Sequence, residues 1–211
     1  MIIQKKDLIM LIHIRTFVFV SALGLLVMVT GCRSPQPVGG TMETYLAAMH
    51  RTAPENMALA EPGSEVEARA IEQFLDLFTR FDEDALRGGI TALYAEEVFF
   101  NDTLVELNTA AEVEAYFLHT LEHVVECRFD LVDVASNKGE HYFRWVMTFR
   151  MERYRNDPPN VSLGMTHVRF NADGQVVFHQ DYWDSANLYG QFPVIGPLMR
   201  WFHRRVAKSA T

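Results

Sequence analysis

A change of hydrophobic period constrains the fold of this chain more than any other feature. Apolar residues recur at helical spacing as far as Val124, whereas beyond Arg128 they alternate with polar residues, as side chains on a half-buried strand do. The alternation is cleanest over residues 143–151 (FRWVMTFRM). Helices followed by antiparallel strands predict an α+β domain, in which a curved sheet carries its helices on one face.

Four helices are predicted before the strand-rich part of the chain, over residues 41–51, 64–81, 83–95 and 109–124. The second and fourth begin with capping boxes, Ser64 to Glu67 and Thr109 to Glu112. The third is weaker because Gly88 and Gly89 interrupt it. Strands are predicted over residues 98–100, 128–134 and 143–151, and in a hairpin over residues 164–184.

The hairpin follows from two runs of β-branched and aromatic residues that flank the turn sequence NADG (171–174). Its second strand places a histidine, a carboxylate and an indole on one face: His179, Asp181 and Trp183. Such a composition indicates a ligand pocket. The opposite face is apolar, which suits burial in a homodimer: Val176, Phe178 and Tyr182.

The first 32 residues have the layout of a bacterial secretion signal. Three bases precede an apolar run over residues 17–29, which is short for a membrane span of about 20 residues. The run leads into VTGC (29–32), which resembles a lipobox. The resemblance implies cleavage before Cys32, diacylglycerol on Cys32, and acylation of the new amino terminus with a fatty acid such as palmitate. There are two alternatives: the segment stays uncleaved as a membrane anchor, or it is cleaved nearby and leaves Cys32 as a free cysteine.

The resemblance also predicts a location. Arg33, at the position after the cysteine, favours the outer membrane over inner-membrane retention, so we expect a lipid-anchored protein facing the periplasm. Translation starts at Met1 or Met10. Three segments are therefore predicted: a signal over residues 1–31, a linker with a short helix over residues 32–63, and a folded domain over residues 64–211.

The charge argues against one class of partner. The chain carries −8, and residues 1–31 contribute three bases and one acid, so about −10 remains on the mature part. An acidic surface of this kind disfavours nucleic acid and other polyanions. If Cys32 is acylated, Cys127 has no cysteine left to pair with, and we expect it in the core as a small apolar residue.

Motifs over residues 65–188 resemble, in order, the nuclear transport factor 2-like superfamily, and within it the SnoaL-like branch that also contains ketosteroid isomerase. They are FLD (74–76), LYAEEVFFND (93–102), the helix from Ala111, WVM (145–147), RF (169–170), GQVV (174–177) and YWD (182–184). The resemblance implies a cone in which a bent, mixed sheet wraps long helices around a deep cavity, commonly in a homodimer. Members include isomerases, cyclases, dehydratases, hydrolases and non-catalytic binders, so the fold leaves the function open.

The resemblance also implies site positions. Asp102 matches the carboxylate that moves a proton beside a ketone in the isomerases, whereas Phe74 and Thr166 replace their oxyanion-hole tyrosine and aspartate. Loss of one such donor costs about 2.7–4 kcal/mol, so isomerisation by the family mechanism is not expected. Trp183 matches an aromatic residue that lines the cavity. The predicted catalytic residues are Asp102, His179 and Asp181, and the predicted pocket residues are Phe74, Trp145, Met147, Thr166 and Trp183.

Two interpretations of the polar residues stay open. If Asp102, His179 and Asp181 converge, their interactions would push their pKa values apart and could create an acid–base pair. Alternatively, Asp102 caps a turn and Asp181 pairs with His179 in a satisfied polar cluster. The corresponding functions are a binder of a small, largely apolar ligand, an enzyme of proton-transfer or hydrolytic type, and a non-catalytic envelope scaffold.

Two further motifs have simpler interpretations. Residues 119–123 match the zinc motif H-x-x-E-H, but they lie opposite the apolar stripe of their helix. We therefore expect a solvated surface, and neither a metal nor another cofactor. Residues 198–208 predict a basic amphipathic helix, which could rest on anionic lipid or pack on its own domain or a dimer partner.

Overall fold

A computed structural model describes residues 39–151, 159–190 and 195–209. The predicted signal and Cys32 lie outside the described residues. The compact unit that contains the described elements runs from Val38 to Thr211, and so includes the segment before residue 64 that was predicted to be a linker. Among the described helices, none combines the length and the apolar character that crossing a membrane requires.

Seven helices are described: α1 (Met42–Arg51), α2 (Glu65–Arg80), α3 (Glu83–Leu86), α4 (Gly89–Leu93), α5 (Ala110–Leu121), α6 (Ser185–Tyr189) and α7 (Ile195–Ser209). The six described strands are β1 (Tyr94–Asn101), β2 (Glu106–Thr109), β3 (Val124–Asn137), β4 (Glu140–Met151), β5 (Asn160–Phe170) and β6 (Val176–Trp183). They form one sheet in the order β2-β1-β6-β5-β4-β3. Only the β1–β6 pair is parallel among these strands, which confirms an α+β fold built on a curved, open, mixed sheet.

The structure corrects several predicted boundaries. The helix predicted over residues 83–95 is two short helices, because Gly88 adopts a left-handed φ of 76° between them. The strand predicted over residues 98–100 begins earlier, at Tyr94. The helix predicted to reach Val124 ends at Leu121, because Val124 is the first residue of β3. Strand β2 was not predicted.

The predicted caps are present. The Thr109 hydroxyl accepts from Glu112 N, and the Glu112 carboxylate accepts from Thr109 N, a complete capping box. The Ser64 hydroxyl likewise accepts from Glu67 N at 3.1 Å. The Glu67 carboxylate, however, accepts from Gly63 N at 2.6 Å, one residue earlier than a capping box would place it.

The main core lies between one face of the sheet and helices α2 and α5. It is rich in aromatic side chains, including Phe74 of α2, Phe117 of α5 and Phe143 of β4, all at most 8% exposed. Stacking of Phe74 on Phe143, with ring centroids 4.5 Å apart, joins helix to sheet. Cys127 is half-buried against this core, and its burial raises the pKa of the thiol to about 12.

Helix α1 packs on the other face of the sheet, the face that was predicted to be buried in a homodimer. Ala48 of α1 packs with Phe99 and Phe178, both of which are at most 2% exposed. Val176 was predicted on this face and instead lies in the main core. A β-bulge in β6 is the reason, because Val176 pairs with Phe170 while Phe178 pairs with the preceding residue of β5. Homodimer formation itself stays a prediction.

A buried ion pair also ties α1 to the sheet. The Arg169 guanidinium donates to both carboxylate oxygens of Glu140, to Met49 O at 2.7 Å and to Thr52 Oγ1 at 2.8 Å. His167 donates to the same carboxylate. Burial alone would raise the pKa of Glu140, but the hydrogen bonds from His167 and Arg169, together with the electrostatic attraction of these two partners, outweigh it and hold this pKa at about 2.

Candidate functional site

Two adjacent chambers lie between the helices and the concave side of the sheet, and together we call them the hollow. The His179 chamber contains about 500 Å³ of empty space and the Asp102 chamber about 640 Å³, the part open to solvent included in each. Phe117, Phe129 and Asp181 line both chambers. The remaining lining is largely apolar, so the few polar groups in it stand out as candidate contacts for a ligand.

A chain of hydrogen bonds runs through the His179 chamber. Tyr94 Oη lies 2.8 Å from His179 Nδ1, and His179 Nε2 lies 3.1 Å from Asp181 Oδ1. Thr166 donates to the same Asp181 oxygen at 2.6 Å and accepts from Trp145 Nε1 at 2.8 Å. A neutral imidazole protonated at Nε2 satisfies every group, because Tyr94 then donates to Nδ1 and His179 donates to Asp181.

The position of Asp102 follows from the turn between β1 and β2. Its Oδ1 accepts from the backbone N–H groups of Leu104 and Val105, both at 2.9 Å, and its Oδ2 accepts from the Tyr116 hydroxyl of α5. Asp102 is 9% exposed. Burial raises the pKa of Asp102, although the hydrogen bonds from Tyr116 and from Val105 N act in the opposite direction.

The structure brings all the predicted site residues to the hollow. The His179 chamber is lined by Phe74, Trp145, Thr166, His179 and Asp181. The Asp102 chamber is lined by Asp102, Met147, Asp181 and Trp183. The contacts expected from the second interpretation are present too, because Asp102 caps a turn and Asp181 pairs with His179. Catalytic roles for these residues stay a prediction.

Trp183 and Asp184 position the end of β6. Trp183 Nε1 donates to Asp102 O at 2.7 Å, which holds the two ends of the Asp102 chamber together. The Asp184 carboxylate accepts from Asn187 N at 3.2 Å and caps α6.

Two tyrosines bond to the predicted catalytic residues, Tyr94 to His179 and Tyr116 to Asp102, and sequence reasoning missed both. Tyr94 is 1% exposed and was assigned to a helix that the structure replaces with β1. Tyr116 lies in the helix predicted over residues 109–124, and no role was predicted for its hydroxyl. The signal available in the sequence was a phenol on an apolar stripe, since a buried tyrosine hydroxyl usually has a hydrogen-bond partner.

A glycine makes room for one aromatic side of the hollow. Gly164 of β5 pairs directly with Trp145 of β4. A Cβ atom at Gly164 would overlap the indole of Trp145. The indole therefore lies flat across the glycine, in the orientation from which its N–H reaches Thr166.

The zinc-type motif lies apart from the hollow. His119, Glu122 and His123 are exposed, and their potential ligand atoms lie within 4.8 Å of one another. His119 Nδ1 lies 3.2 Å from Glu122 Oε2. Surface groups of this kind are commonly solvated, so the prediction of a solvated surface is unchanged.

Comparisons with known proteins agree with the fold described above. An NTF2-like protein of unknown function from Burkholderia pseudomallei superposes with a TM-score of 0.51 at 15% identity, over 62% of this chain and 100% of its own. A protein with a ketosteroid isomerase-like fold from Catenulispora acidiphila, solved in complex with trimethylamine, superposes with a TM-score of 0.50 at 12% identity, over 58% of this chain and 90% of its own. At these identities the likeness extends to the fold alone.

No curated protein sequence matches the chain at a significant level. The family comparison is decisive, because residues 71–179 match the SnoaL-like domain family. These residues run from α2 to the histidine of β6, and so include most of the lining of both chambers, whereas Asp181, Trp183 and Leu188 follow the matched range. The chain therefore belongs to the SnoaL-like domain family.

Proposed function

We propose that the hollow binds a small, largely apolar molecule with a hydrogen-bond donor, and that Asp181 accepts that donor. The observation that carries the proposal is the geometry of the Asp181 carboxylate. Among the described residues, the hydrogen bonds to this carboxylate come from Thr166 and His179, and both reach Oδ1. Oδ2 is thus available on an oriented carboxylate that lines both chambers.

The surroundings explain why a donor on an apolar skeleton fits. Phe74, Phe129 and Trp145 supply aromatic contact area, and burial of apolar surface contributes about 25 cal/mol per Å². A carboxylate among such side chains lacks the hydration it has in water, so a matched donor gains more there than in solvent. A ligand carboxylate would instead meet repulsion from Asp181 and Asp102.

Three naphthalene probes test the proposal. We expect 2-naphthol, which has a donor, to bind more tightly than naphthalene, and 2-naphthoate to bind weakest. Quenching of the fluorescence of Trp145 and Trp183, which line the hollow, reports binding. Asp181→Asn removes the charge but keeps the shape, and should reduce the preference for naphthol by about tenfold, since hydrogen bonds to charged groups contribute about 1.5–3 kcal/mol.

The matched control is Asp173→Asn, an equivalent change at the exposed hairpin turn, which should leave all three affinities unchanged. Equal affinities for naphthol and naphthalene, or a preference that survives Asp181→Asn, would refute the role of Asp181. Failure of all three probes to bind would favour the non-catalytic scaffold instead.

A second candidate function, an enzyme of proton-transfer type, is favoured by the environment of Asp102. Burial raises the pKa of this carboxyl, which is the direction a general base needs. His179 or Asp181 would assist. The test is exchange of the α-protons of 2-tetralone in D2O, followed by NMR. The enzyme hypothesis predicts exchange above the buffer rate that falls by about 10²–10⁴ in Asp102→Asn, whereas exchange at the buffer rate opposes it.

We also propose that the chain is anchored through an acylated Cys32 in the bacterial outer membrane, facing the periplasm. The support is the order of bases, short apolar run and VTGC in the first 32 residues. Labelling of the chain in a bacterial host with an alkyne palmitate analogue tests the anchor. Cys32→Ser should abolish the label and Cys127→Ser should keep it; the reverse pattern would contradict the anchor. Density-gradient separation of the two membranes tests the location.

A further inference from the structure

Helix α7 turns its apolar side towards solvent. Leu198, Trp201 and Phe202 are 62%, 52% and 56% exposed. The cleft between α7 and α6 is lined from α7 by Met199, Arg200, His203 and Arg204. In the part of the chain that the structure describes, the largely polar side of α7 therefore faces the domain and the apolar side faces away, the reverse of a helix that completes a globular core.

The charge of α7 differs from that of the rest of the chain. Its sequence, IGPLMRWFHRRVAKS, has three arginines, one lysine and no acidic residue, although the whole chain carries −8. Arg204 and Arg205 are both exposed. An anionic partner is thus favoured at this helix and disfavoured by the chain as a whole.

The aromatic residues of α7 suit the boundary between lipid headgroups and acyl chains. A helix with basic residues on one side and Trp, Phe and Leu on the other lies in the plane of such a boundary. The Arg205 guanidinium lies 5.6 Å from the centroid of the Trp201 ring. From that position its stem can contact apolar groups while its charge reaches a phosphate. A second α7 packed against the first would instead bring like charges together.

We propose that α7 docks onto an anionic lipid surface, with Leu198, Trp201 and Phe202 at the acyl boundary and the exposed Arg204 and Arg205 at the phosphates. This docking is a second membrane contact, separate from Cys32 and from the hollow. It would fix the orientation of the domain on the membrane, which a single attachment at Cys32 would not do.

The test uses the full chain reconstituted into vesicles of phosphatidylglycerol with brominated acyl chains. A lipid anchor would hold the chain on any vesicle, so the readout is quenching of tryptophan fluorescence by bromine. Trp145 and Trp183 lie in the hollow, whereas Trp201 is exposed. We expect quenching in phosphatidylglycerol, little quenching in brominated phosphatidylcholine, and loss of the quenching in Trp201→Phe.

Paired charge variants supply the control. Arg204→Gln with Arg205→Gln should weaken docking by about tenfold or more, whereas Arg51→Gln with Arg69→Gln, at exposed positions elsewhere, should not change it. Equal quenching in both lipids, or equal effects of the two pairs, would overturn the proposal. So would dissociation of a dimer by Leu198→Gln, since it would assign the apolar side to a second copy of the chain.

Discussion

Tyr94→Phe removes the hydroxyl at one end of the hydrogen-bond chain that runs through His179 and Asp181. Tyr94 is 1% exposed and His179 is 2% exposed, so no water replaces the lost donor at His179 Nδ1. A buried polar atom left without its partner costs about 1–3 kcal/mol. Because 1 kcal/mol shifts the Tm of a domain of this size by about 2–4 °C, we expect a fall of several degrees.

The assay is unfolding in urea, monitored by circular dichroism, with a thermal melt as a second readout. Tyr182→Phe is the matched control, because Tyr182 is 41% exposed and its hydroxyl donates to the Tyr45 hydroxyl at 3.2 Å. Exposed substitutions usually change stability by less than about 0.5 kcal/mol. If the two variants lose the same stability, or if Tyr94→Phe loses none, His179 is not held by Tyr94 and the argument for an ordered polar chain fails.

Three further predictions concern stability. Gly164→Ala should cost about 1–3 kcal/mol by overlap with Trp145, and a Tm equal to that of the unmodified protein would contradict the close approach. Glu140→Gln should cost about 3–5 kcal/mol at pH 7 because it leaves a buried cation without its partner. Since the pKa of Glu140 is lowered to about 2, its contribution is complete above the unfolded pKa near 4.5 and is lost as the pH falls towards 2; a difference in melts that stays constant over this range would refute the pairing. Burial raises the pKa of Asp102, so the folded form loses stability as the pH rises through that pKa. The difference in Tm between Asp102→Asn and the unmodified protein should therefore shift in favour of the variant between pH 3 and pH 7. A shift in the opposite direction would refute the burial effect.

The order of the elements and the two faces of the long strands could be predicted from the sequence, because both depend on local periodicity. The clean alternation over residues 143–151 placed Trp145 and Met147 on the concave side, and β6 placed His179, Asp181 and Trp183 there. The predicted residues of the hollow therefore followed from strand parity together with the family resemblance, whereas Tyr116, which also lines it, did not.

Local periodicity could not reveal features that arise from long-range contacts. The bulge in β6 moves Val176 to the core, and no spacing in the sequence marks it. The packing of α1 over Phe178 joins parts of the chain more than 120 residues apart, so a face predicted for a second copy is occupied by the chain's own helix. The role of Tyr94 was hidden because a helix and a strand compete for the same short segment.

Contacts between bound 2-naphthol and the protein, measured as intermolecular nuclear Overhauser effects, test the central claim most directly. We predict contacts from the naphthol ring to the aromatic protons of Phe74, Phe129 and Trp145, with the carbon that bears the hydroxyl nearest the Asp181 methylene. Contacts confined to the exposed side chains of α7, or a bound ring whose hydroxyl points away from Asp181, would contradict the account.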